Sequence, residues 1–184
     1  SDQMFAPVPA KCTMLHAKET PAAGGDTIFA SLYHAYDGLS DGMKDMLGAL
    51  KGVNCGDTMK VHGGRSRAER YKGASSMKLK DSNEAQTDSV HPVIRTHPDT
   101  GRKALYIGAH TQWLDGFTPE ESRVLIDQLQ AQISRPEFTC RFRWRPRSIA
   151  LWDNRCTLHY AIDDYAGQRR RMHRIIVEAE QAPF

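Results

Sequence analysis

The stretch 151–176 constrains the chain most. It opens with Leu-Trp-Asp-Asn-Arg-Cys-Thr-Leu-His-Tyr-Ala and closes with Gln-Arg-Arg-Arg-Met-His-Arg-Ile-Ile from position 168, two apolar-rich segments that read as antiparallel strands. A strand sends residues i, i+2 and i+4 to one face, so Arg170, Met172 and Arg174 share a side. At about 3.3 Å per residue the two arginines leave the backbone roughly 13 Å apart, too far to clamp one carboxylate together. They suit two different anions, with His159 on the preceding strand.

Elsewhere the pattern mixes strands with a few helices. Residues 11–18 read as a strand leading into a turn at Pro21-Ala22-Ala23-Gly24-Gly25. From Thr27, Phe29, Leu32, Tyr33, Tyr36 and Leu39 recur at helical spacing. Ser40 opens a second helix with Met43, Met46, Leu47 and Leu50 inward, closed by Gly52. Residues 53–89 are rich in Gly, Ser, Lys, Arg and Asn, and are expected to form a mobile loop: a lid over substrate, or a solvated insertion. Segments 90–96 and 104–107 form a hairpin around Pro98-Asp99-Thr100-Gly101. Thr118-Pro119-Glu120-Glu121 is a capping box with proline at the first helical position, opening a helix that buries Val124, Leu125, Leu129 and Ile133 and stops before Pro136. Phe138, Cys140, Phe142 and Trp144 alternate with polar residues as a half-buried strand, and 149–152 is another. The periodicity alone gives an α+β chain.

With 184 residues, 40% hydrophobic and 26% charged, the chain can bury a sizeable core and is expected to be one domain, 1–184. No apolar run is long enough to cross a bilayer and no signal-peptide pattern opens the chain. Cys12, Cys55, Cys140 and Cys156 show neither CxxC pairing nor zinc spacing, so they read as buried, reduced thiols of a cytoplasmic protein. A net charge of +3 is too mild to argue for nucleic acid. The basic cluster Arg65, Arg67, Arg70 and Lys72 is interrupted by Glu69 and flanked by Asp57 and Asp81, so a solvated face is expected there.

Several motifs together carry a resemblance: Gly24-Gly25-Asp26-Thr27; His91-Pro92-Val93-Ile94-Arg95-Thr96-His97-Pro98 with Gly101 and Leu105-Tyr106; Phe142-Arg143-Trp144; and Trp152-Asp153-Asn154-Arg155 followed by His159. Over most of its length the chain resembles the taurine dioxygenase and chlorophenoxyacetate dioxygenase family of Fe(II)/2-oxoglutarate-dependent oxygenases. The resemblance implies a double-stranded β-helix (jelly-roll, cupin-like) core with flanking helices. It also implies the two-His, one-carboxylate set that leaves three open positions on iron for a 2-oxo acid and O2. Asp2 then matches the carboxylate and His159 the distal histidine. The first histidine of the family's His-x-Asp pair is expected immediately before Ser1, and the chain is expected to be the C-terminal portion of a longer protein, binding iron weakly with two ligands of three.

By the same resemblance Thr27 and Arg170 hold the distal carboxylate of 2-oxoglutarate, a planar guanidinium suiting two-point contact. Arg174 meets the anionic group of the prime substrate, and His110 and Trp113 lie where the family varies with substrate. The implied activity is hydroxylation of a small, anionic sulfonate, sulfate ester or aryloxy or alkyl carboxylate, with release of succinate and CO2. A homodimer or homotetramer is expected, with no nucleic-acid or membrane partner. The alternative is a non-catalytic binding or structural relic lacking the first metal histidine. Taken singly, each residue has an ordinary role: His159 a packing histidine, Asp2 a frayed terminus, Thr27 a helix cap, Arg174 a salt bridge to Asp163, Asp164 or Glu178. Arg169 and Arg171 are expected to face solvent, the remaining histidines to be surface or packing groups, and Met43, Met46 and Met172 to be core.

Overall fold

A computed structural model describes residues 1–56 and 88–184. In chain order these form β1 (Cys12–Glu19), β2 (Thr27–Ser31), α1 (Leu32–Asp37), α2 (Asp41–Gly48), β3 (Lys51–Cys55), β4 (Asp88–Pro92), β5 (Ile94–Thr96), β6 (Lys103–Leu105), β7 (Thr111–Leu114), α3 (Pro119–Ile133), β8 (Thr139–Phe142), β9 (Ile149–Asp153), β10 (Thr157–Ala161) and β11 (Arg171–Val177). The mixed helix and sheet content agrees with the α+β reading. No helix among the described residues is long and apolar enough to cross a membrane.

All strand pairs are antiparallel. The strand orders are β11-β1-β9, β10-β2-β8 and β4-β3-β7, with β5-β6 as a separate hairpin. Register decides what the first two sheets present. Thr13 of β1 lies between Trp152 and Ile176, and Leu15 between Ala150 and Arg174, so Thr13, Trp152 and Arg174 share one face. On the second sheet Phe29 is paired with His159. The Phe29 and Trp152 rings lie 5.2 Å apart and those of Trp152 and His159 4.9 Å apart, which brings these two faces against each other. The larger apolar core lies elsewhere, where α1 and α3 cover β6 and β7 through Leu32, Leu105, Leu114, Ile126 and Leu129.

The local readings hold in part. Ser40 caps α2 by accepting from the Met43 N–H, and Thr118 and Glu121 make both bonds of the capping box on α3. The expected helix from Thr27 is instead a strand up to Ser31, which is the true N-cap of α1. Thr27, Ile28 and Phe29 favour extended backbone, and β2 finds partners on both edges. Gly52 does not close α2, which ends at Gly48. It sits in β3, where a Cβ would meet the Thr111 Cγ2 at 2.9 Å. Val124 is 74% exposed and Ile126 takes its place in the core, because the α3 stripe runs through Ser122, Ile126, Leu129 and Ile133. Met46 and Cys140 are also exposed. Of the expected loop 53–89, the ends 53–55 and 88–89 are paired strand, since Val53, Cys55 and Ser89 are buried there. Its interior, with the basic cluster at Arg65 to Lys72 and His62, lies outside the described residues.

Candidate active site

Asp2 reaches the space between the two facing sheets because Met4, fully buried, plugs the N-terminal segment into the core beside Gly108, where a Cβ would meet its Sδ at 2.7 Å. Its carboxylate Oδ1 stands 3.9 Å from His159 Nε2 and 3.8 Å from Arg174 Nη1. The Thr13 hydroxyl donates to its Oδ2 at 2.6 Å. The Asp2–His159 separation is too long for a hydrogen bond and short enough for one cation to touch both donors.

Burial opposes ionisation of Asp2. The His159 ring, the Thr13 hydroxyl and Arg174 outweigh it and hold the carboxyl below its usual value. Burial, with Arg174, pushes His159 well down despite the opposing Asp2. The pair at pH 7 is therefore a carboxylate and a neutral imidazole, the protonation states that ligate metals. His159 Nδ1 is buried without a hydrogen-bond partner among the described residues.

Arg170 stands just before β11. Its Nε donates to the Gly25 carbonyl at 3.0 Å, and its guanidinium lies 5.9 Å over the Trp144 ring. Gly25 has φ +70° and a Cβ there would press on Arg170 Cδ at 3.0 Å, so glycine meets both a backbone and a space requirement. Nη2 of Arg170 is buried with no hydrogen-bond partner among the described residues. Thr27, almost fully buried, accepts from Trp144 Nε1 at 2.9 Å and keeps its own hydroxyl proton to donate. A half-buried cationic fork with an idle N–H, at a tryptophan ring that also bonds a hydroxyl, fits a bound carboxylate. Arg169 and Arg171 instead pair with Glu19 at the surface.

A cavity of about 500 Å³ is lined by Asp2, His159 and His110 together with Ile28, Leu158 and Ile133. His110 faces the Cys55 carbonyl at 3.1 Å and packs edge-on against Phe5. Of the expected site residues, then, Asp2, His159 and His110 share the cavity. Arg174 meets Asp2 from the β11 side instead of Asp163, Asp164 or Glu178. Arg170 and Thr27 flank Trp144. Trp113, paired with Val53 on β7, is not part of the cavity wall.

Sequence reasoning assigned no role to Thr13 or to Asn154, although Asn154 stood inside the Trp-Asp-Asn-Arg motif. Thr13 carried no signal, being one polar residue in an ordinary strand. Among the described residues, the one group of three side chains near enough to share a cation is His97, Asp153 and Cys156. There Arg155 already binds both Asp153 oxygens, at 2.6–3.1 Å, which suits a structural clasp better than a metal.

Similarity to known proteins agrees with this geometry. The chain is 32% identical over 184 residues to an alpha-ketoglutarate-dependent sulfate ester dioxygenase of Pseudomonas putida, covering 98% of this chain and 59% of that protein. It is 35% identical over 180 residues to an alpha-ketoglutarate-dependent 2,4-dichlorophenoxyacetate dioxygenase of Cupriavidus pinatubonensis, covering 95% and 57%. The chain thus spans a little over half the length of these relatives. The crystal structure of AAD-2 in complex with Mn(II) and N-oxalylglycine superposes with a TM-score of 0.83 at 28% identity, covering all of this chain and 69% of that one. A family profile described as taurine catabolism dioxygenase TauD, TfdA family matches residues 1–176. The chain belongs to the TauD/TfdA family of dioxygenases.

Proposed function

We propose that this chain carries the catalytic site of an Fe(II)- and 2-oxoglutarate-dependent dioxygenase that hydroxylates a small anionic organic molecule: a sulfonate, a sulfate ester, or an aryloxy or alkyl carboxylate. The balance is substrate C–H plus O2 plus 2-oxoglutarate giving substrate C–OH, succinate and CO2. The observation that carries the reading is the pair Asp2 Oδ1 and His159 Nε2, facing each other at 3.9 Å with no hydrogen bond between them. Relatives that act on sulfate esters and on 2,4-dichlorophenoxyacetate support the substrate class.

When bound, the iron supplies oxygen activation coupled to oxidation of the 2-oxo acid. Every other contribution belongs to the chain. Asp2 and His159 supply two of the three ligands of a facial set. Arg170 takes the far carboxylate of 2-oxoglutarate on its idle Nη2, with Thr27 donating a second bond. Arg174, about half exposed beside Asp2, takes the anionic group of the substrate, and the two arginines thereby serve the two anions expected from their spacing. His110, in the cavity wall, shapes the approach. The rings of Phe29 and Trp152 against His159 exclude water from the ligand face, which strengthens these charge contacts. In this reading the two facing sheets are the halves of a double-stranded β-helix, the jelly-roll core of the family.

Incubation with Fe(II), ascorbate, 2-oxoglutarate and a panel of sulfonates, sulfate esters and aryloxy acids tests the proposal. Succinate formed in step with loss of one substrate class is expected. A protein that binds metal and 2-oxoglutarate yet yields no succinate with any of the panel contradicts it.

A further inference from the structure

Asp2 is held at two points, and both converge on buried groups of no assigned function. Asn154 is 1% exposed and Thr13 fully buried. The Asn154 Oδ1 accepts the Asp2 backbone N–H at 3.1 Å and the Trp152 indole N–H at 3.0 Å. Its Nδ2 donates to Thr13 Oγ1 at 2.8 Å, and Thr13 in turn donates its single proton to Asp2 Oδ2 at 2.6 Å, a length typical of a hydroxyl on an ionised carboxylate. The direction of donation is fixed throughout, Trp152 and Asp2 N–H to Asn154, Asn154 to Thr13, Thr13 to the carboxylate, so the bonds reinforce one another.

Resting on the reading of Asp2 as a metal ligand, we propose that Thr13 and Asn154 are positioning residues for that ligand. Asn154 fixes where the Asp2 backbone stands. Thr13 then occupies Oδ2 and sets the carboxylate rotation, leaving Oδ1 as the oxygen turned toward His159. A carboxylate that only anchored a chain end would need neither element, because Met4 already fixes the segment. β-Branching locks the Thr13 hydroxyl in a preferred rotamer, so its place on an inner strand supplies a rigid donor. Groups that orient a ligating carboxylate in this way typically carry about 10- to 100-fold of metal affinity.

The test is Co(II) binding by calorimetry and by the visible ligand-field spectrum, with melting curves alongside, for the wild-type protein and for Asp2→Ala, Thr13→Val and Thr13→Ser. Thr13→Val keeps the shape of the side chain and removes the hydroxyl. It is expected to weaken Co(II) about 10- to 100-fold and to alter the spectrum, while Thr13→Ser stays within about threefold because it restores the donor. Should Thr13→Val fail to fold, Thr13→Cys, with its weaker donor, replaces it and must weaken binding in the same direction. Wild-type affinity in the hydroxyl-free variant, or equal losses in Thr13→Val and Thr13→Ser, overturns the positioning role. If Asp2→Ala binds Co(II) as the wild type does, the metal assignment itself fails, an outcome separable from the first.

Discussion

Arg170, the residue proposed to hold 2-oxoglutarate, stands at a cost to the fold. Burial pushes its guanidinium below the usual arginine value, its Nε is engaged by Gly25, and Nη2 has no partner among the described residues. A half-buried cation with a buried, idle N–H costs the empty protein stability, and the same idle group becomes an asset once a carboxylate arrives. Arg170→Leu is therefore expected to leave the melting temperature of the ligand-free protein equal or higher, while weakening 2-oxoglutarate by about 10- to 150-fold, the usual range for a hydrogen bond to a charged group. Thermal melts and 2-oxoglutarate titration in the presence of Mn(II) measure both. A large loss of stability with unchanged 2-oxoglutarate affinity contradicts the assignment and marks Arg170 as structural. Glycine at position 25 follows from the same residue, because a side chain there would collide with the arginine it serves.

At the scale of elements, β9 is clasped to the turn after β5. Asp153 accepts from His97 Nε2 at 3.1 Å and from Arg155, which also reaches Asp99 at 2.9 Å. Burial alone would raise the Asp153 carboxyl, but the hydrogen bonds from Arg155 and His97 outweigh it and hold it at about 2. Unfolded, an aspartate titrates near 3.9. Its folded value is the lower one, so its contribution to stability is complete above about pH 4 and is lost as the pH falls from roughly 4 to 2, about 1–2 kcal/mol after solvent screening. Asp153→Asn should flatten the dependence of urea stability on pH in that window; an unchanged slope would show that the clasp is not the titrating element. The elements also show what could be read in advance. The capping box of α3 and the cap of α2 were legible because each rests on a few neighbouring residues. The strand at β2 was not, since Phe29, Leu32, Tyr33 and Tyr36 match a helical period across a boundary that only pairing with β8 and β10 reveals. On α3 the expected Leu129 and Ile133 are buried and Leu125 packs on the core, while Ile126 takes the place expected of Val124, because apolar character alone did not say that Val124 faces water. Asp2, His159 and Arg170 could be singled out from motifs, whereas Thr13 meets Asp2, eleven positions away, through a contact that no local pattern announces.

Across the whole molecule the site is a product of register. The β11-β1-β9 sheet contributes Thr13, Trp152 and Arg174, the β10-β2-β8 sheet contributes Phe29 and His159, and the N-terminal segment is pinned between them by Met4 and Asn154. No single element holds both of the proposed metal donors, so a cation bridging Asp2 and His159 would tie the segment that carries Asp2 to β10, and ligand binding should stabilise the folded state by mass action. The most direct measurement is a Mn(II) titration followed by electron paramagnetic resonance, with and without 2-oxoglutarate, on the wild-type protein and on His159→Ala. The account predicts one Mn(II) per chain in the wild type, tighter when 2-oxoglutarate is present, and at least tenfold weaker binding with no 2-oxoglutarate enhancement in the variant. Equal Mn(II) affinity and equal enhancement in the two proteins would contradict it.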